Sequence, residues 1–385
     1  MKLYYFAAFL FIMATWPMFT QAQDTLDTHK SSKTNKLLEH ISEHVSVGGW
    51  IDAQYAYDRM GDANQSSVFQ IRRARMDIKG SLSRWVDFRL QADFAPSPRL
   101  IDAFVKVNLC KYVNVQVGQF KIPFSLENKY SPLDLELTDN AQIISALSGY
   151  KDITGISSYA NGREIGLMLT GTLASANVRG ERIPILTYGV GIFGGNGINV
   201  KTDNLAKDFS ARLEFCPFVK GLDISVSGYW GRYNMLYDSK LTGVDGTRFR
   251  MASGIEYKHE GLDVRGEYLW GVTDFAIPNP NPFNEEEFIP DPTLTDGFYI
   301  IGSYWFNFGW GKNTTMKQKL RPVLRFDYYR YNRNDVSNRP SIYYSAGLDW
   351  WPEKHLRVQL DYTLKQRYDV DELGHNITAM VSVKF

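Results

Sequence analysis

The stretch VDFRLQADF at residues 86–94 alternates without a break: its even-numbered residues are apolar and its odd-numbered residues are charged or polar. Successive side chains of a β-strand point to opposite faces of the sheet, so this pattern predicts a strand with one apolar and one polar face. The same alternation recurs in LDVRGEYLW at residues 262–270, in LRVQLDYTL at residues 356–364 and in NITAMVSVKF at residues 376–385.

The polar faces distinguish two kinds of β-protein. A water-soluble sandwich also buries an apolar face, but its central strands carry long apolar runs. Here nearly every strand keeps a strongly polar face, which favours a wide transmembrane barrel with a water-filled interior. An aromatic content of 14% and a mean hydropathy of −0.30 fit such strands, because lipid-facing and lumen-facing residues average out.

The connections between strands also follow a pattern. Short turns are predicted near residues 81–84, 110–112, 258–261 and 352–354. Longer polar loops are predicted near residues 59–67, 122–161, 196–207, 233–247, 273–295 and 330–339. Alternating short and long connections are typical of outer-membrane barrels. The sequence therefore predicts an all-β fold, a transmembrane antiparallel barrel of about sixteen strands within residues 45–385.

The first residues have the features of a secretory signal. Lys2 precedes an apolar stretch at residues 3–19, and the small-residue sequence TQA at 20–22 offers a cleavage site. A single helical membrane anchor is the alternative. We expect residues 1–22 to be a signal peptide, residues 23–44 a short periplasmic extension and residues 45–385 the barrel. The formal net charge of +1 gives no reason to expect nucleic-acid binding.

The two cysteines are predicted to be free thiols. Cys110 and Cys216 lie beside different predicted turns, several strands apart in the barrel register. That separation exceeds the reach of a disulfide without distortion of the backbone.

Four segments in register resemble the phosphate-selective porin O and P family. They are FQIRRARMDIKG at residues 69–80, LQADFA at 90–95, VGQFKIPFSLEN at 117–128 and REIGLML at 163–169. The resemblance implies a sixteen-stranded homotrimeric porin of the bacterial outer membrane, with its third external loop folded into the channel. It also implies an arginine ladder and lysines that attract phosphate. The terminal Phe385 looks like the signal read by the barrel-assembly machinery.

Strand parity assigns a set of cations to the lumen, and two lysines flank or lie in the long loop. The candidate pore-lining residues are Arg73, Arg75, Lys79, Arg89, Lys106, Lys121, Lys129, Arg212, Arg250, Arg265, Arg321, Arg325 and Arg357. Arginine suits phosphate because its planar fork donates two hydrogen bonds and stays protonated. Arg73, Arg75 and Arg89 are the favoured anion-attracting stripe. Lumen carboxylates such as Asp77, Asp102 and Glu256 permit the alternative, a self-paired network without selectivity.

The segment at residues 122–161 is predicted to constrict the channel, because loops of this length are usually functional. It carries Glu127, Asp134, Glu136 and Asp139, which make it net acidic and set it apart from a strongly cationic constriction. The alternative is a loop that covers an external barrel edge. The segment at residues 273–295 reads as a solvated surface loop.

Enzymatic function is not expected. The six histidines have no metal-ligand spacing, no Ser/His/Asp arrangement stands out, and no cofactor or metal is expected. The expected partners are small hydrophilic or anionic solutes, outer-membrane lipid and lipopolysaccharide, and two further copies of the chain. A non-selective porin and a barrel with a structural or adhesive role in the envelope are the alternatives.

Overall fold

A computed structural model describes residues 44–61, 64–156, 162–178, 181–201, 207–217, 219–280, 287–309, 317–367 and 370–385. The predicted signal peptide and residues 23–43 of the predicted extension lie outside these ranges, as do residues 281–286 of the predicted surface loop. Within the described part, no helix is long and apolar enough to cross a membrane.

Seventeen strands occur in the described residues. They are β1 (Val45–Met60), β2 (Asn64–Ser83), β3 (Val86–Asp93), β4 (Arg99–Cys110), β5 (Val113–Lys121), β6 (Arg163–Val178), β7 (Glu181–Phe193), β8 (Asp208–Phe215), β9 (Leu222–Tyr237), β10 (Lys240–His259), β11 (Leu262–Pro278), β12 (Phe288–Tyr304), β13 (Phe306–Gly309), β14 (Lys317–Arg330), β15 (Ser341–Glu353), β16 (Leu356–Gln366) and β17 (Leu373–Lys384). A 3₁₀ turn (Glu127–Lys129) and helix α1 (Gln142–Leu147) lie between β5 and β6.

These strands form one closed antiparallel ring. β12 and β13 both pair with β14, so they act as one interrupted strand and the ring has sixteen positions. β1 pairs with β17 on one side and with β2 on the other, which closes the sheet. Closure satisfies the backbone hydrogen bonds that an open edge would leave unpaired in lipid. The predicted sixteen-stranded transmembrane barrel is confirmed.

The two faces of the wall differ as the alternation predicts. On β17, Ile377 and Val381 are exposed on the outside, whereas Thr378 and Ser382, the residues that follow them, are buried on the inside. A soluble sandwich would bury the apolar face; here that face covers the outside of the ring. The outside therefore suits contact with lipid.

Three predicted loops are wrong, because their residues continue the strands. β1 ends at Met60 and β2 begins at Asn64, so residues 59–67 are mostly strand. β9 and β10 meet at Asp238 and Ser239, which have positive φ angles of 48° and 62°, and not in a loop at 233–247. Short polar residues tolerate this conformation. β11 and β12 likewise include most of residues 273–295, because the backbone groups of the two strands continue to pair with each other as far as Pro278 and Phe288.

Part of the interior is a hydrophobic core. Ile143, Ile144 and Leu147 of helix α1 are fully buried and pack among apolar residues of the inner wall, including Leu269 and Val323. Leu269 is an apolar residue at a polar-face position of β11, where Arg265 and Glu267 precede it. The predicted water-filled interior is therefore replaced in this region by apolar packing, because an apolar strip on the wall binds the helix.

Both cysteines are free, as predicted. Cys110 ends β4 and is exposed, and Cys216 follows β8 and is half-buried.

Candidate functional site

The inner wall holds the β5–β6 loop, residues 122–162, through its backbone. The Arg357 guanidinium donates hydrogen bonds to the carbonyl oxygens of Leu133 (2.8 Å) and Leu135 (2.6 Å). Its Nε donates to Asp349 (2.7 Å), which also accepts a hydrogen bond from Arg321 (2.6 Å). Each buried charge here has an opposite charge or a carbonyl dipole beside it, as burial requires.

Two more arginines bind the loop in the same way. Arg250 donates to the carbonyl oxygen of Leu147 (2.7 Å) and to the loop carboxylate of Asp152 (2.5 Å). Burial alone would raise the pKa of Asp152, but Arg250 brings it below its ordinary value. Arg325 pairs with Asp327 (2.7 Å) and donates to the carbonyl oxygen of loop residue 139 (2.7 Å). The loop backbone is thus a partner that these arginines need.

A third group of charges surrounds the loop carboxylate of Glu136. Arg265 lies 2.8 Å from Glu136 and 3.4 Å from Glu256, and its guanidinium is 4.6 Å from the centre of the Tyr130 ring. Burial alone would raise the pKa of Glu136, but Arg265 and Arg321 hold it below its ordinary value. We call Arg250, Arg265, Arg321, Arg325 and Arg357, with their partner carboxylates, the clamped wall.

A different arrangement occurs across β2 to β6. A cavity of about 240 Å³ lies there, and five basic side chains line it: Arg75, Arg89, Lys121, Lys129 and Arg163. We call this cavity the basic recess. The Arg89 side chain is 34% exposed and that of Lys129 is 39% exposed, in contrast to the arginines of the clamped wall. These two charges of the recess therefore remain accessible to water and solute.

A second cavity of about 200 Å³ shares Lys121 and Lys129 with the basic recess and adds Arg212. Five of the six basic side chains of the two cavities form ion pairs with four carboxylates, Asp77, Asp93, Asp102 and Glu214. The sixth, Lys121, donates a hydrogen bond to the carbonyl oxygen of Tyr130. Among the described residues this leaves a surplus of two positive charges. The field in the two cavities favours an anion.

The recess also offers hydrogen-bond donors. Arg75 and Gln91 are both almost fully buried in its wall. Nη1 of Arg75 and the side-chain amide of Gln91 have no hydrogen-bond partner in the described part of the chain. A buried polar group requires a partner, and because these atoms have almost no accessible surface, a solute oxygen reaches them only if the side chains move.

Comparisons with known proteins fit this geometry. The model of the family "Phosphate-selective porin O and P" matches residues 45–376. The chain belongs to this family. It is an outer-membrane porin, and its place is the bacterial outer membrane. No curated protein sequence matches it.

Solved porins share the fold at low sequence identity. The anion-selective porin from Comamonas acidovorans aligns with a TM-score of 0.61 at 11% identity, covering 89% of this chain and 99% of that one. OmpF of Salmonella typhi, in complex with daunomycin, aligns with a TM-score of 0.60 at 14% identity, covering 89% of this chain and 97% of that one. A trimer form of Vibrio cholerae OmpT aligns with a TM-score of 0.56 at 10% identity, covering 89% of this chain and 100% of that one. At these identities the likeness shows the fold alone.

The thirteen predicted pore-lining cations of this porin fall into three groups. Five belong to the clamped wall, and Arg75, Arg89, Lys121, Lys129 and Arg212 line the two cavities. Arg73 pairs with Asp52 at 3.2 Å, away from the recess. Lys79 and Lys106 have no carboxylate within 4.0 Å among the residues described. The proposed stripe of Arg73, Arg75 and Arg89 is thus divided between a wall pair and the recess.

Sequence reasoning missed three arginines of the porin interior. Arg163 pairs with Asp102 at 2.6 Å, Arg248 with Asp208 at 2.7 Å, and Arg72 with the loop residue Asp139 at 2.6 Å. Arg248 has the same parity as Arg250, so alternation could have found it. Arg72 and Arg163 have the parity of lipid-facing neighbours, and no pattern in the sequence would have placed them inside.

The described residues of the porin contain no group of three histidine, cysteine, aspartate or glutamate side chains that could hold a metal ion. The family and the fold are those of channels.

Proposed function

We propose that this porin is a passive channel for small hydrophilic solutes with a preference for anions, and that the basic recess is where an anion binds. The observation that carries the proposal is the surplus of positive charge shared by two adjacent cavities, with exposed Arg89 and Lys129 at their surface. Arginine and lysine in a pore favour anions. Phosphate fits best, because it can accept hydrogen bonds from several of these donors at once.

The β5–β6 loop is proposed to narrow the channel. Its contacts reach Arg72 on β2, Ser210 on β8, Asp327 on β14 and Arg357 on β16, which lie around the ring. A segment that touches the polar faces of strands this far apart crosses the interior. A solute then passes beside the loop and along the recess, where Arg89 and Lys129 are exposed.

Ion selectivity in planar lipid bilayers tests the proposal. In a potassium chloride gradient we expect a reversal potential that favours chloride, and inorganic phosphate should reduce the chloride current. The double variant Arg89→Ala/Lys129→Ala should weaken both effects. The control Lys111→Ala/Lys354→Ala removes the same charge from exposed turns between strands and should leave selectivity unchanged. A wild-type reversal potential that favours cations would overturn the anion preference.

Two alternatives have distinct outcomes in the same measurement. A non-selective porin would conduct with no preference and no block by phosphate. A barrel with a structural or adhesive role would give negligible conductance from folded protein. The proposal includes no catalytic activity.

Export and assembly complete the proposal. Residues 1–22 would direct secretion and residues 23–44 would extend into the periplasm. Phe385, whose backbone is hydrogen-bonded to Gly49 across the seam of the barrel, would be read by the barrel-assembly machinery. The exposed apolar outside would contact outer-membrane lipid and lipopolysaccharide, and a homotrimer is proposed because a trimer form of one similar fold is known.

A further inference from the structure

Glu267 is a wall carboxylate without a cationic partner. It is 3% exposed, and among the described residues no lysine or arginine nitrogen lies within 4.0 Å of it. Its oxygens instead accept hydrogen bonds from the backbone N–H groups of Leu126 (2.7 Å) and Glu127 (3.2 Å) and from the hydroxyl of Ser125 (3.0 Å). Tyr299 approaches the same carboxylate at 3.4 Å. Four donors from two elements thus converge on one buried anion.

The turn that donates these bonds is shaped for an anion. Ser125 has a φ of 66°, and Leu126 follows in the right-handed helical region. Successive backbone N–H groups in such a turn point to one side and form an anion-binding concavity. The N–H of Ser125 is held by the hydroxyl of Ser227 at 3.0 Å, and a side chain at Gly254 would crowd Leu126, since a Cβ there would lie 3.0 Å from its Cδ2. The turn is therefore fixed against the wall.

The same turn carries the groups that line the basic recess. Lys129 follows it by two residues and faces both cavities. The next carbonyl, that of Tyr130, accepts the hydrogen bond of Lys121. The position of the turn consequently sets the position of Lys129 and of the carbonyl that holds the ammonium group of Lys121.

We propose that Glu267 is a positioning residue for anion selectivity: by holding the turn at Ser125–Glu127, it places Lys121 and Lys129 at the recess. The inference rests on the proposed function. In this inference a buried negative charge supports the preference for anions. A carboxylate that acted only through its charge would oppose that preference, so the two roles predict effects of opposite sign.

The variant Glu267→Gln separates the two roles in the full-length porin. The amide keeps the shape of the side chain, but its NH₂ group faces backbone donors and cannot accept their hydrogen bonds. We expect the chloride-over-potassium permeability ratio to fall by roughly fivefold, the scale of one lost hydrogen bond of typical strength, and phosphate block to weaken. A purely electrostatic role would raise the ratio.

A matched control is Asp87→Asn. Asp87 is also a wall carboxylate, but it accepts hydrogen bonds from the side chains of Ser81 and Asn108, away from the β5–β6 loop. Its loss should leave the ratio unchanged or raise it. A fall of the same size in both variants would overturn the inference.

A double-mutant cycle tests whether Glu267 acts through Lys129. If it does, Glu267→Gln has little further effect on the ratio in a Lys129→Ala background. Equal effects in both backgrounds would contradict the proposed route. Ser125→Gly, which keeps the positive φ and removes one donor, provides a milder variant should Glu267→Gln fail to fold, and a smaller fall in the ratio is expected.

The results separate this inference from the proposed function. A wild-type porin that prefers cations defeats the proposed function. A wild-type porin that prefers anions, combined with an unchanged or higher ratio in Glu267→Gln, defeats the inference alone.

Discussion

The clamped wall and the basic recess use the same residue type for different purposes. Arg357 in the clamped wall is fully buried and donates to a carboxylate and two loop carbonyls. Arg89 in the recess pairs with Asp77 and Asp102, yet a third of its side chain remains exposed. The difference shows that an inward arginine in a barrel is not by itself evidence of anion attraction. The exposure of the side chain and its set of partners decide whether an inward arginine can attract an anion.

The physical reason lies in desolvation. A buried charge is tolerated only when its hydrogen-bonding capacity is filled by partners of good geometry. On the clamped wall the loop backbone supplies those partners, so wall and loop depend on each other. In the recess water still solvates Arg89 and Lys129, and a solute can replace that water without breaking the fold.

The largest expected effect is on the clamped wall. Arg357→Met removes four hydrogen bonds and leaves Asp349 with Arg321 alone, so we expect a loss of about 3–5 kcal/mol in the free energy of unfolding, the usual cost of breaking a buried ion pair. Denaturant unfolding in detergent measures it. The control Arg339→Ala breaks an exposed pair with Asp371 and should cost less than about 1 kcal/mol. Equal losses would remove the distinction between buried and exposed pairs.

The apolar contact of helix α1 should give the next largest effect. Ile144→Ala deletes a fully buried side chain from the core between helix and wall, and we expect a loss of about 3 kcal/mol. Faster proteolysis of the β5–β6 loop should accompany it. Val336→Ala, at a position 93% exposed, serves as the control. A small effect of Ile144→Ala would mean that polar contacts alone hold the loop.

Acidification should loosen the clamped wall before the rest of the barrel. The pKa values of loop residues Glu136 and Asp152 lie below their ordinary values of 4.5 and 3.8. The stabilisation from these two groups is therefore complete above the ordinary values and is lost as pH falls through the lowered ones. We expect open-channel noise to rise only below about pH 4. A rise between pH 5 and 7 would point to other groups.

Alternation in the sequence was sufficient to predict the barrel, because successive side chains along each strand point in turn to the lipid and to the interior. It predicted Leu269 on the polar face but not that an apolar strip and helix α1 would meet there. Arg72 and Arg163 were missed, since parity puts them outside. The pairing of Arg357 with the loop could not be predicted, because it depends on where residues 133 and 135 lie in space.

The smallest expected effect on stability is that of Lys129→Ala in the basic recess. Lys129 pairs with Glu214 at 3.4 Å, and its side chain is 39% exposed. Exposed pairs contribute at most about 1 kcal/mol, because water screens the attraction and ordering a long side chain costs entropy. Denaturant unfolding should therefore be nearly unchanged, while phosphate block of the chloride current weakens. A loss of stability close to that of Arg357→Met would show that the recess also contributes to the stability of the barrel. Unchanged stability with weaker block would show that a charge left in contact with water is available to the solute.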